Sequence, residues 1–101
     1  MQIAAMQHEA RPLMVLDVRT AAEFAANHVP GALSMPFTEL SAAVQAGELD
    51  AWRSQPLAIM CTSGVQSAQA CVRLSKVYGF AHPINVTGGL LAWRDAGLPT
   101  V

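Results

Sequence analysis

Short apolar segments separated by Pro, Gly and polar residues recur along the chain and predict strands. Two of them, residues 13–18 and 57–60, are almost continuously apolar. Such runs are typical of strands that are buried on both faces in a parallel sheet covered by helices. Residues 32–35 and 82–86 are weaker strand candidates. Pro83 weakens the second of these because proline cannot donate a hydrogen bond to a strand ladder.

Helical patterns alternate with these strands. Thr20 and Glu23 form a capping box that predicts a short helix over residues 21–27. Four further helical segments end at Gly or stop before Pro; they are a helix capped by Thr38 that runs through Ala46, a short piece over 49–53, a long helix from about residue 65 to 78, and a last helix over 90–96. This alternation predicts a single α/β domain, residues 1–101, with parallel strand pairing.

Composition and charge exclude several classes of protein. Hydrophobic residues make up 52% of the chain and charged residues 13%, the opposite of the balance that is typical of disordered chains. The net charge of −1 and the lack of a basic run provide no overall attraction for nucleic acid or for an anionic membrane. No stretch has the pattern of a secretion signal or a membrane span, so we expect a cytoplasmic protein.

The cysteine and histidine positions argue against a metal site and against a disulfide scaffold. The chain has two cysteines, Cys61 and Cys71, without a Cys-x-x-Cys pair, and its three histidines are scattered singly. Cys71 falls about six residues into the long predicted helix, roughly 9 Å along its axis. A disulfide requires Cα atoms within about 7 Å, so we interpret Cys71 as a core residue.

Cys61 follows the second buried strand and stands where ligand sites form in open α/β sheets, beyond the carboxyl ends of the strands. Its loop leads directly into the long predicted helix, whose first backbone amides have no partner within the helix. These amides and the helix dipole favour negative charge, so we expect a lowered pKa for the Cys61 thiol. The predicted anion-binding loop consists of Cys61, Thr62, Ser63, Gly64, Val65, Gln66 and Ser67.

Several other residues are assigned supporting roles. Asp17 and Arg19 start on the same side of a strand end, and we interpret them as an internal ion pair that supports the loop, with Arg19 as the best candidate cation near the site. His28 is expected to hold its own loop through its ring nitrogens. Phe24 and Trp93 are expected to fill core space around the site.

Four segments of the chain resemble signatures of the rhodanese family, in the family's order and over nearly the whole length. They are Leu16-Asp17-Val18-Arg19 with Glu23-Phe24, the Asn-His-Val-Pro-Gly-Ala segment at 27–32, the Cys61 loop, and Thr87-Gly88-Gly89-Leu90-Leu91-Ala92-Trp93 with Gly97-Leu98-Pro99. The resemblance implies a mainly parallel sheet of about five strands with helices on both faces. It also implies that Cys61 accepts sulfane sulfur as a persulfide from thiosulfate or another carrier and passes it to cyanide or a protein thiol, without a metal or organic cofactor.

Two departures and two alternatives bear on this interpretation, and one departure, Asn27 in place of the family's Gly, lies outside the Cys61 loop. The family often has Arg where this chain has Gln66, and an amide cannot give the charged, bidentate contact that a guanidinium gives to an anion. A cysteine phosphatase would have similar strand–loop–helix geometry, but it needs Arg at the sixth position after the cysteine, where Ser67 stands. A non-catalytic module for protein binding or sulfur sensing is the other alternative to a sulfurtransferase.

Overall fold

The computed structural model describes residues 13–101, and within this range four parallel strands form one sheet. The strand order is β2-β1-β3-β4, with β1 at Met14–Asp17, β2 at Leu33–Ser34, β3 at Leu57–Met60 and β4 at Pro83–Asn85. The register pairs Leu16 with Ile59 and Ile59 with Asn85. The carboxyl ends of β1, β3 and β4 therefore meet at one edge of the sheet, which confirms the predicted α/β fold with parallel pairing.

Four α-helices connect or follow the strands. They are α1 at Ala21–Ala26, α2 at Leu40–Gln45, α3 at Val65–Lys76 and α4 at Gly89–Asp95. The predicted capping box begins α1, because the Thr20 hydroxyl accepts from the Glu23 amide at 3.2 Å and the Glu23 carboxylate accepts from the Thr20 amide at 3.2 Å. Within residues 13–101 no helix has both the length and the apolar character that crossing a bilayer requires.

The sheet is covered on both faces, as the continuous apolar runs predicted. Side chains alternate along β3, so that Leu57 and Ile59 pack in one core cluster and Ala58 and Met60 in another. The first cluster also contains residues of α2 and α3, including Leu40, Ala43, Val44, Ala70 and Leu74. The second cluster contains Leu90 and Trp93 of α4 together with Val15 and Val29. Helices on both faces are therefore confirmed.

The structure differs from the sequence prediction in three local details. The described residues contain four strands where about five were expected, and the N-terminal residues 1–12 lie outside the described range. A 3₁₀ turn at Phe37–Glu39 precedes α2, and Thr38 lies inside this turn instead of capping a helix, because the turn already begins after Pro36. The short helical piece predicted over 49–53 is a 3₁₀ turn at Asp50–Trp52.

A buried ion pair fixes the chain where it leaves β1. The guanidinium of Arg19 contacts both carboxylate oxygens of Asp17 at 2.8–3.1 Å and donates to the carbonyl of Asn27 at 2.6 Å. Asp17 is fully buried and Arg19 is 5% exposed. The pair therefore ties the end of β1 to the end of α1 through charge-assisted bonds, as the sequence predicted for an internal ion pair.

We expect the variant Arg19→Met to lose about 3–5 kcal/mol of unfolding free energy, because it leaves the buried Asp17 carboxylate without its partner. Urea denaturation at neutral pH measures this loss. The control is Arg94→Met, which removes the same charge from an exposed position of α4 and should change stability by less than about 0.5 kcal/mol. Similar losses in the two variants would contradict the role of the buried pair.

Candidate active site

The sulfur of Cys61 lies within a ring of hydrogen-bond donors formed by its own loop. The backbone amides of Gly64 and Ser67 point at Sγ from 3.0 and 3.4 Å, and the Ser67 hydroxyl oxygen lies 3.3 Å from it. Gly64 is the N-cap of α3 and Ser67 belongs to the first turn of that helix. The unpaired amides at the start of the long helix therefore face the sulfur, as the sequence predicted.

Two opposing effects determine the pKa of the Cys61 thiol. Burial, which leaves the residue 3% exposed, raises the pKa because it disfavours the charged thiolate. The hydroxyl and amide of Ser67 and the amides of Gly64 and Ser63 lower it, and together they hold the pKa of Cys61 below its ordinary value of 9.0. The site thus favours a thiolate, the form in which cysteine acts as a nucleophile.

Asn85, the last residue of β4, bonds to two of the residues that surround the sulfur. Its side-chain oxygen accepts from the Ser67 hydroxyl at 2.5 Å, and its side-chain nitrogen donates to the Gly64 carbonyl at 3.2 Å. The protonated site therefore forms a chain in which Cys61 Sγ–H donates to Ser67 and Ser67 donates to Asn85. Asn85 competes with the thiolate for the single proton of the Ser67 hydroxyl.

Sequence reasoning did not assign Asn85 to the site. It is a polar residue near the end of a predicted strand, and ligand sites form at the carboxyl ends of parallel strands. Its position at the carboxyl end of a predicted strand could therefore have indicated Asn85 as a candidate site residue. The pairing of Asn85 with Ile59, two residues before Cys61, was needed to show that the two strand ends are adjacent.

The first turn of α4 donates hydrogen bonds to the backbone of the Cys61 loop. The amides of Leu90 and Leu91 donate to the carbonyls of Cys61 and Thr62 at 2.9 and 3.1 Å. This approach requires glycine at position 89, where φ is 58° and a Cβ atom would lie 2.6 Å from the Thr62 carbonyl oxygen. The Gly88–Gly89 turn therefore lies against the cysteine loop.

An open cavity of about 390 Å³ lies over the loop. It is lined by Cys61, Thr62, Ser63, Val65, Gln66 and Gln69. Gln66 is exposed at this cavity. It stands at the position where the rhodanese family often has Arg. The lining contains no Lys, Arg or His among the described residues, so the backbone amides and hydroxyls supply the positive potential at the sulfur.

The supporting residues predicted from the sequence do not line this cavity. The prediction that Phe24 fills core space is wrong, because this residue is half-buried on a short helix without buried residues and belongs to neither core cluster. The guanidinium of Arg19 is engaged by Asp17 and by a backbone carbonyl, and neither residue lines the cavity. His28 stacks on Phe24 with ring centroids 3.8 Å apart, and its Nδ1 lies 2.8 Å from the Phe24 carbonyl. Trp93 is buried and donates from its indole nitrogen to the Pro99 carbonyl at 2.8 Å.

The second cysteine has different surroundings. Cys71 is a free thiol on α3, packed against the core cluster that contains Leu74 and Ala70. Burial raises the pKa of its thiol to about 11. The chain therefore contains one cysteine that favours the thiolate and one that favours the thiol, in agreement with the interpretation of Cys71 as a core residue.

Comparison with known proteins relates the fold and this loop to one family. Residues 2–96 match the family model described as a rhodanese-like domain. A sulfurtransferase of Allochromatium vinosum is 34% identical over 89 residues, which span 88% of this chain and 78% of that protein. Thiosulfate sulfurtransferase 16 of Arabidopsis thaliana, a chloroplastic protein, is 32% identical over 93 residues, spanning 84% and 77% of the two chains.

A solved structure shows the same similarity in three dimensions. The human single-domain sulfurtransferase TSTD1 superposes with a TM-score of 0.80 at 26% identity, covering 93% of this chain and 90% of that one. The chain spans about half the length of some other relatives, 47% of a Synechocystis protein and 53% of an Arabidopsis protein.

We expect alkylation by iodoacetamide near neutral pH to modify Cys61 before Cys71, since of the two thiols Cys61 has the lowered pKa and Cys71 the raised one.

Two variants should move the Cys61 pKa in opposite directions. Ser67→Ala removes a donor to the thiolate and should raise it. Asn85→Ala frees the Ser67 hydroxyl to donate to the sulfur and should lower it.

The measurement is the alkylation rate of each cysteine as a function of pH, read by peptide mass spectrometry. Gln55→Ala is the control, because it removes an exposed amide before the amino end of β3 and should leave the profile unchanged. If both site variants raised the pKa of Cys61, the competition for the Ser67 proton would be refuted.

Proposed function

The chain belongs to the rhodanese-like domain family, and on that premise we propose that it is a sulfurtransferase that holds sulfane sulfur as a persulfide on Cys61. The observation that supports this most directly is the ring of groups at Cys61 Sγ: the Gly64 and Ser67 amides donate to the sulfur, and the Ser67 hydroxyl, which accepts from the protonated thiol, lies 3.3 Å away and can turn to donate to the thiolate. The ring stabilises the attacking thiolate. It also lies close enough to stabilise negative charge on a sulfur bound to Sγ.

The proposed reaction has two displacement steps that conserve charge and sulfur. The Cys61 thiolate attacks the outer sulfur of a donor such as thiosulfate or R–S–SH. The donor's S–S bond breaks and sulfite or the thiolate R–S⁻ leaves, while Cys61 becomes a persulfide. An acceptor thiolate or cyanide then attacks the outer sulfur, the new S–S bond breaks, and the Cys61 thiolate returns with the ring of donors around it.

The other loop residues have positioning roles in this proposal. Thr62, Ser63, Val65 and Gln66 line the cavity in which the donor would lie. Asp17 and Arg19 would support the loop from below through their ion pair, without contacting the donor. Cys61 is then the residue that forms and breaks the bonds to sulfur.

The cavity supports a persulfide donor more strongly than thiosulfate. Thiosulfate carries two negative charges, and the cavity presents an amide at Gln66 where a guanidinium would bind them. The same feature argues against a cysteine phosphatase, because phosphoryl transfer needs strong stabilisation of charge on the equatorial oxygens. We therefore propose a low-charge persulfide, free or carried on a protein, as the preferred donor class.

We expect protein incubated with a small persulfide donor, then freed of excess donor, to gain one sulfur atom, about 32 Da, by intact-mass spectrometry. Cys61→Ser should show no gain. Cys71→Ser should load as the parent protein does, because the Cys71 thiol of the parent remains protonated and does not accept sulfur. Transfer of the bound sulfur to cyanide, measured as thiocyanate, tests the second step. A protein that never gains sulfur on Cys61 would support the non-catalytic alternative.

Substitution of Gln66 tests the proposed donor preference. Gln66→Arg places a cation at the cavity and should increase kcat/KM for thiosulfate roughly fivefold to tenfold, since bonds to charged donors are stronger by about 1 kcal/mol. Gln55→Arg adds the same charge far from the cavity and should have little effect. Equal gains in the two variants would indicate a general charge effect and contradict a specific role for position 66.

A further inference from the structure

An exposed surface on α3 continues from the active-site cavity along the helix. We define it as the α3 surface, made of Val65, Gln69, Val72, Arg73, Lys76 and Val77. Its three valines are exposed by 68%, 56% and 69%, which is unusual for aliphatic side chains on a helix whose opposite side already contributes to the core. Isolated exposed valines are common, but these three lie on α3 and at its C-cap, Val77, and the helix begins beside Cys61.

Two cavities meet on this surface. The first lies over Cys61 and includes Val65 and Gln69. The second, of about 350 Å³, is lined by Gln69, Val72, Arg73, Lys76 and Val77. Because Gln69 borders both, a bound chain could follow α3 from the second cavity to the sulfur of Cys61 without leaving the surface.

The charge of the α3 surface has one sign. Helix α3 contains Arg73 and Lys76 and no acidic residue. The Arg73 guanidinium lies 5.1 Å from the ring centroid of Phe37, which holds it at the side of the helix, and Lys76 is exposed. The surface therefore combines apolar valines with two cations and complements an acidic, partly apolar partner.

These cations lie too far along α3 to bind a small anion at Cys61. Arg73 and Lys76 follow Gln66 by seven and ten residues, which corresponds to roughly 10 and 15 Å along the helix axis. Interactions between exposed charges are largely screened beyond about 8 Å at physiological salt. A macromolecule can contact both cations while its sulfur reaches the cavity, whereas thiosulfate or a free persulfide cannot.

We propose that the α3 surface docks an acidic protein that delivers sulfur from a persulfide on its own cysteine, an inference that rests on the proposed sulfurtransferase activity. A second copy of this chain fits less well, because a symmetric contact would place two surfaces that each carry Arg73 and Lys76 and no acidic helix residue against one another. The docked protein supplies remote binding energy for a reaction whose cavity has no cation of its own.

The transfer on the docked partner is a simple displacement. The Cys61 thiolate attacks the outer sulfur of the partner's R–S–SH group, a new S–S bond forms on Cys61, and the partner's S–S bond breaks. The products are the Cys61 persulfide, which carries the proton, and the partner's thiolate. No external oxidant or reductant is needed.

The experiment uses two synthetic peptides of equal length that each carry one cysteine persulfide next to Leu residues, one rich in Glu and the other with Lys at the same positions. Free cysteine persulfide is the small donor. The rate of sulfur loading on Cys61 is measured by quenched intact-mass spectrometry at low and high salt. We expect the Glu peptide to load Cys61 roughly tenfold faster than the Lys peptide at low salt, with a smaller difference at high salt.

Two variants test whether the preference for the Glu peptide depends on the α3 surface. The double variant Arg73→Gln/Lys76→Gln should lose the preference for the Glu peptide, and Val72→Asp should weaken loading by that peptide through repulsion and lost apolar contact. Arg94→Gln, which removes an exposed cation from α4, is the matched control and should retain the preference. All four proteins should load equally with free cysteine persulfide.

The outcomes separate the docking proposal from the proposed function. If free cysteine persulfide does not load Cys61, the sulfurtransferase proposal fails. If it loads Cys61 but the Glu and Lys peptides react equally, or if Arg94→Gln loses the preference as fully as the double variant, the docking proposal alone is overturned. Concentration-dependent dimerisation that Val72→Asp abolishes, measured by sedimentation, would also overturn it by assigning this surface to a second copy.

Discussion

The hydrogen bonds between the Cys61–Thr62 backbone and the first turn of α4 are the constraint on which the site depends. They join the carboxyl end of β3 to a helix on one face of the sheet, while the next residues of the loop begin α3 on the other face. The carbonyls of this strand end are thus directed to α4, and the amides that follow remain available for the sulfur. Gly89 permits the contact because any larger residue would collide with these carbonyls. The arrangement needs both faces of the sheet to be covered, so the site depends on the fold as a whole.

The two opposing effects on the pKa of the Cys61 thiol link its proposed reactivity with the stability of the fold. Its pKa is lower in the folded protein than its ordinary value, so the folded state releases this proton more readily than the unfolded chain does. Its contribution to stability is therefore present above the ordinary pKa and is lost as the pH falls through the folded pKa. Cys71 acts in the opposite sense, because its pKa of about 11 destabilises the folded state once the unfolded thiol ionises near 9.0. The loop before α3 and the helix itself thus carry one thiol each, Cys61 and Cys71, with opposite dependences on pH.

Much of this site was predictable because it is encoded locally. The position of Cys61 at a strand end, the loop of small polar residues and the start of α3 all follow from adjacent residues, and so does the capping box of α1. Asn85 was missed because its contact with Ser67 spans eighteen residues and depends on the pairing of β3 with β4. The cap assigned to Thr38 failed for a similar reason. The backbone after Pro36 makes a 3₁₀ turn whose Phe37 amide bonds to Val18, a contact between distant segments that local propensity does not describe.

The cavity and the α3 surface suggest that chemistry and recognition are separated in this protein. The backbone amides of Gly64 and Ser67 donate to the sulfur, and these uncharged groups do not contact the rest of a molecule that carries sulfur to the site. They provide reactivity without much selectivity. The cations that could select a partner lie farther along α3, beside exposed valines. A guanidinium at position 66 would combine both functions in the cavity and would favour small anions. With Gln66 there, the proposed selection of a donor would rely on contacts that a larger molecule makes with the α3 surface, so a neutral cavity and a distant cationic surface are consistent with one another.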